Sequence, residues 1–227
     1  MRILWTLPLL LVACGEPIEK RTPGDKKVAR PLPVVASPRQ EKVGQAYRVT
    51  LSLTRWPAEV DETTEPASEI ISFVNVVQKV ENGIATQVMR YSDDGSQRVI
   101  SRGDPAGGFE GFETLLPRRE EEVPDTWTVN GALAGLRHTK TLSGFPKEGG
   151  EARCRLDRVV VSGGRARAIM ALELDARAAD GVVKLTGKFD YDLKLKLIVR
   201  VELRGTIGDE SLTILATRNP TKVVPGK

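Results

Sequence analysis

The chain has 227 residues, 40% of them hydrophobic, with a formal net charge of +4, one histidine and two cysteines. That length and apolar content suffice for one ordinary domain with a buried core. So few histidines and cysteines exclude a zinc site built from several such ligands. The positive charge is unevenly placed: residues 14–42 hold a net +3, whereas residues 43–227 are formally neutral. Nucleic acid is therefore not an expected partner of the folded part.

At the N-terminus, Arg2 precedes an apolar stretch from Ile3 to Val12 and the small-residue junction Ala13-Cys14-Gly15. This is the build of a secretory signal over residues 1–13, and its apolar segment is too short to span a bilayer as a stable helix. The residues Leu11-Val12-Ala13-Cys14 resemble the lipobox of bacterial lipoproteins. The resemblance implies that Cys14 receives a diacylglycerol, that the signal is cut before it, and that the new amino terminus is acylated. Several acyl chains give a fixed anchor where one gives only reversible binding. Gly15 stands where the enterobacterial pattern places Asp to retain lipoproteins at the inner membrane. The same resemblance thus implies an outer-membrane protein facing the periplasm. A mature chain beginning at Cys14 keeps one thiol, Cys154, so it relies on its core and not on an internal disulfide.

Residues 14–42 contain Pro17, Pro23, Pro31, Pro33 and Pro38 amid scattered charge. Such a segment reads as an extended tether, whose basic excess is suited to anionic lipid head groups. Residues 43–227 read as a single β-rich domain. Tyr47, Val49, Leu51 and Leu53 alternate with Arg48, Thr50, Ser52 and Thr54, the pattern of a half-buried strand. An acidic loop, Glu59 to Glu69, is expected next. A hairpin follows, with Ile70–Val80 and Ile84–Tyr91 flanking the tight-turn sequence Asn82-Gly83.

Gly103 to Gly150 is the least regular region and the first candidate for a working surface. Two weak helix signals fall there, Phe109–Leu116 and Asn130–Leu136, the latter with Asn130 as a candidate N-cap. Phe109, Phe112, Trp127 and His138 are its candidate ligand- or partner-contacting residues.

Beyond it the alternation strengthens. Ala152, Cys154 and Leu156 begin a strand running to Val161. Ser162-Gly163-Gly164 turns it into a second strand on Ala166, Ala168, Met170, Leu172 and Leu174, and Asp180-Gly181 turns that into a third. From Val183 to Leu203 one parity stays apolar for too long to be a single strand, so a turn or bulge near Asp190–Lys194 is expected. Leu212–Thr217 forms a last strand. Connections this short join antiparallel neighbours. The expected fold is mainly β: a curved antiparallel meander or incomplete β-barrel with one or two short helices. At the level of architecture this resembles lipoprotein carriers and uncharacterised exported β-rich lipoproteins of the Gram-negative envelope.

Catalytic signals are weak. No Gly-x-Ser-x-Gly or Ser-x-x-Lys motif occurs, and His138 is the one imidazole available as a base. Asp93-Asp94-Gly95 reads as a turn. Asp190 and Asp192 read as part of a solvated, charge-balanced strand face instead of a calcium site. Glu120-Glu121-Glu122 reads as a solvated run, and Cys154 as an inert buried thiol. Trp56, like Trp127, reads as core or edge packing before pocket lining. No cofactor or metal is expected. The sequence points to a non-enzymatic, lipid-anchored binding module for an apolar ligand or an envelope protein. A structural or assembly lipoprotein is the alternative, and a carboxylate-dependent envelope hydrolase a further one.

Overall fold

A computed structural model describes residues 26–28, 42–59, 63–81, 84–91, 96–101, 110–117, 123–133, 145, 149–178 and 181–221. The alternating segments form eleven strands of one antiparallel sheet. In chain order they are β1 (Lys26–Val28), β2 (Ala46–Trp56), β3 (Ala67–Glu81), β4 (Ile84–Tyr91), β5 (Gln97–Ser101), β6 (Thr126–Ala132), β7 (Gly150–Ser162), β8 (Arg165–Ala178), β9 (Gly181–Asp192), β10 (Leu197–Ile207) and β11 (Glu210–Thr221). A single helical turn, α1 (Glu110–Glu113), lies between β5 and β6.

The C-terminal half is a meander in which β7 to β11 pair consecutively, as short turns require. The strands β2 to β5 form a second meander. β11 pairs with β2 over its full length, from Ser211 opposite Trp56 to Thr221 opposite Ala46. The spatial order is β1-β7-β8-β9-β10-β11-β2-β3-β4-β5, with β6 also on β7, so among the described residues the two ends of the sheet do not meet. β1 and β6 share one edge of β7: β1 lies opposite Val159–Val161 and β6 opposite Gly150–Arg155.

Several boundaries differ from the sequence pattern. β3 begins at Ala67, inside the expected acidic loop, because Ser68 and Glu69 pair with Thr54 and Leu53. Lys26–Val28, expected to be free tether, adds a strand to β7. Asn130–Ala132, expected to open a helix, ends β6; Gly131 has a φ of 75° where its register against β7 shifts, so this is a bulge and not a helix start. The other weak helix, Phe109–Leu116, contributes only the turn α1.

The long apolar run from Val183 to Leu203 is split by a four-residue turn, Leu193–Lys196, which begins three residues later than expected. Tyr191 pairs with Ile198 and Phe189 with Val201, because Val199 is an extra residue in β10. That bulge restores odd-numbered residues to the core face, which is why one parity persists across a hairpin. Asp192 builds the turn: its Oδ1 accepts from the amides of Lys194 and Leu195 at 3.0 and 2.9 Å. Lys196 closes it at a φ of 55°.

One face of the sheet is the core. Val49, Leu51 and Leu53 of β2 join Leu212, Ile214 and Ala216 of β11, with Val201 and Leu203 of β10 and Leu172 and Leu174 of β8. At Gly187 and Gly205, on facing strands, the backbones approach closer than side chains permit. A Cβ there would lie 2.0 Å from the Glu202 carbonyl oxygen and 1.8 Å from that of Lys184. Gly205→Ala is expected to force β9 and β10 apart and to destabilise the domain by about 1–3 kcal/mol, measured by denaturant unfolding; an unchanged midpoint would contradict the close approach.

Candidate functional site

Two polar clusters stand out against this frame. The first lies on the core face. Alternation along β11 places Arg218 on the same face as Leu212, Ile214 and Ala216, and its side chain is 1% exposed. Its Nη1 donates to Glu113 Oε1 of α1 at 2.6 Å. α1 thereby rests on the sheet, with Phe112 and Leu115 fully buried beside it. Trp127 holds the following turn by donating its indole N–H to the Leu115 carbonyl at 2.8 Å. Val123, Leu133 and Phe145 join the same core cluster, so the apolar face is covered by the chain's own middle segment.

Of the residues expected at a working surface, Phe112 is therefore a core residue and presents no surface, because its ring fills the space between α1 and the sheet. Trp127 is half-buried and tied to that same segment. Phe109, His138 and Cys14 lie outside the described residues, as do the Glu120–Glu122 run and Asp93–Gly95. Trp56, at the end of the interior strand β2, is 37% exposed, so it is neither the core nor the sheet-edge packing expected of it. Cys154 is buried opposite Trp127, and burial pushes its thiol up to about 12, out of nucleophilic range.

The second cluster lies on the outer face of β7–β10. Asp190 is opposite Ile169 on one side and Arg200 on the other, and Arg167 comes within 3.9 Å of it. The charge balance expected there is present, but the solvation is not: Asp190 is 8% and Asp192 1% exposed. Large cross-strand neighbours, Ile169 and Arg200 for Asp190, Arg167 and Leu197 for Asp192, roof the two carboxylates. Burial raises the Asp190 carboxyl above its ordinary range, opposed by the positive charges of Arg200, Arg167, Lys188 and Arg158.

Asp190 and Asp192 are i,i+2 neighbours on one strand face, about 7 Å apart by strand geometry. One is matched by arginine, and the other gives its Oδ1 to a turn while its Oδ2 is buried without a hydrogen-bond partner. Neither arrangement resembles a paired acid and base poised over a cleft. Among the described residues, no three His, Cys, Asp or Glu side chains gather as a metal site.

The burial of Arg218 has one signal in the sequence, its parity with Leu212, Ile214 and Ala216. Its partner Glu113, distant in sequence, gave no such signal. No protein-family model, curated protein or solved structure matches the chain.

Two outcomes follow from these clusters. Glu113→Ala leaves a buried guanidinium without its carboxylate and is expected to cost about 3–5 kcal/mol in chemical unfolding; a loss below 1 kcal/mol, typical of a surface pair, would show that Arg218 does not depend on it. For Asp190, a folded-state pKa above the unfolded value means the folded protein holds the proton more tightly. Stability associated with the protonated form is present below the unfolded value and lost as pH rises through the folded one. Asp190→Asn is thus expected to be more stable than the parent at neutral pH, with the advantage vanishing on acidification toward the ordinary aspartate range. Thermal unfolding across pH 3–8 measures this, and a pH-independent difference would contradict it.

Proposed function

We propose that the chain is a lipid-anchored lipoprotein of the outer membrane, facing the periplasm, whose β domain is a non-enzymatic module that engages another envelope protein. The observation that carries this reading is the Leu11-Val12-Ala13-Cys14 motif at the end of a short apolar run, followed by a proline-rich basic tether. Membrane attachment through Cys14 then needs no transmembrane helix, because multiple acyl chains hold the protein in place.

An apolar ligand and a protein partner were both compatible with the sequence. Covering of the apolar face by Phe112, Leu115, Leu133 and Phe145 favours the protein partner over an enclosed apolar ligand. It equally favours an assembly role, which predicts a filled core with contacts made from the outside. Support for a non-catalytic role comes from the acids described above, which are engaged in an ion pair, a turn and a core contact.

Intact mass of the protein purified from its native membrane tests the reading. A chain beginning at Cys14 and carrying acyl mass is expected, with both changes abolished in Cys14→Ser; an unmodified Cys14 in the parent would overturn it. Native mass spectrometry of the same sample is expected to show no retained lipid-sized adduct, and a stoichiometric one would restore the carrier reading.

A further inference from the structure

The formal neutrality of residues 43–227 conceals a separation of charge along the strands. One end of the sheet is marked by the start of β2 at Ala46, the β7–β8 turn at Ser162–Gly164 and the β9–β10 turn at Leu193–Lys196. Arg48, Arg165, Lys194 and Arg200 are exposed at or near this end, and Arg158 and Arg167 are partly exposed beside them. Among the described side chains, the acids there are drawn inward or already paired. Asp157 is bound to Arg158 at 2.6 Å, Glu202 is bound to Arg200 at 3.0 Å, Asp190 sits under Arg167, and Asp192 is buried with its Oδ1 on turn amides. At the opposite end, Glu59, Glu65, Glu151, Glu173, Asp175 and Asp209 are exposed, interspersed with Arg153, Arg177, Lys184 and Arg204, and Glu151 is paired with Arg153 at 3.3 Å.

The basic end is also where the N-terminal segment joins the domain. Lys42–Gln45 leads directly into β2, and β1 pairs Lys26 with Val161 and Val28 with Val159 at the same end of β7. Only residues 15–25 separate Cys14 from β1. Fully extended, they span at most about 40 Å. That reach is comparable to the length of a strand, and the tether joins the end where the exposed charges are mostly guanidinium and ammonium groups.

We propose that this basic end is a docking surface for an anionic phospholipid bilayer, so that the domain lies against its membrane with the acidic end pointing away. Two independent features select the occupant: the sign of the exposed charge, and the position at which the anchoring segment meets the sheet. Electrostatic attraction to lipid head groups decays within about 8 Å at physiological ionic strength, and the β1–β7 pairing puts the tether's exit at this end, so these basic groups are the ones able to enter that range. The proposal rests on the lipoprotein reading for the anchor, but its surface is testable without it.

The test uses the protein purified from its native membrane, reconstituted in vesicles of phosphatidylcholine alone or mixed with phosphatidylglycerol. Amide hydrogen exchange is followed at Ser162–Arg165 and Leu193–Lys196, with Gly208–Glu210 at the acidic end as the internal reference. The expected result is slower exchange at the two basic turns in anionic vesicles only, reversed by about 1 M salt, with the reference unchanged. In the combined variant Arg48→Gln, Arg165→Gln, Lys194→Gln, the protection should fall about fivefold for each charge removed. Circular dichroism of that variant confirms its fold, since all three side chains are exposed.

Equal exchange in neutral and anionic vesicles, or protection of both ends alike, would overturn the proposal. If intact mass shows no acyl chains, the anchor reading fails. The same exchange comparison with added vesicles then decides the docking surface on its own.

Discussion

The antiparallel pairing of β11 with β2 is the contact through which the two meanders become one sheet. It sets Ile214 opposite Leu53 and Ala216 opposite Leu51, so the apolar faces of both halves point the same way. Register in a sheet is all or nothing with respect to faces: a slip of one residue would turn Leu51 and Leu53 outward and Thr50 and Ser52 inward. The shared core, and with it the place where the middle segment can rest, exists only because this register aligns two separately formed patterns.

On that common face the chain has to cover more apolar surface than the sheet alone can hide. The middle segment does this with Phe112, Leu115 and Leu133, and its position is fixed by directional contacts: Glu113 to Arg218 and the Trp127 indole to the Leu115 carbonyl. A buried arginine is costly to desolvate and is tolerated when a carboxylate meets it. Its effect here is positional, since a generic apolar contact would not select which turn of the segment sits over which strand. The described part of this irregular stretch covers the core face of the sheet.

The outer face follows different rules. There the charges are dense enough that some are pulled under their neighbours, as with Asp190 beneath Arg167 and beside Arg200. Acids that sink inward leave basic groups outermost, and a neutral domain acquires a basic end. This polarity and the point at which the N-terminal segment joins the sheet fall at the same end, so the two ends of the domain are chemically distinct.

The strands from Tyr47 to Leu53 and from Ala152 to Thr217, their turns at Ser162–Gly164 and Asp180-Gly181, and the antiparallel meander were legible in the sequence. Alternation and turn chemistry are local properties, written in residues close together along the chain. The leader and Cys14 motif expected from residues 1–14 likewise rest on contiguous residues, which lie outside the described ones. Only the tertiary structure decided that β11 meets β2, that Lys26–Val28 joins β7, and that Asn130–Ala132 is strand and not helix. It also decided that Phe112 is core, that Asp190 and Asp192 are buried, and that Arg218 finds Glu113. Each of these depends on groups far apart in sequence being brought within a few ångströms, and no periodicity within a single segment encodes which distant segment will lie beside it.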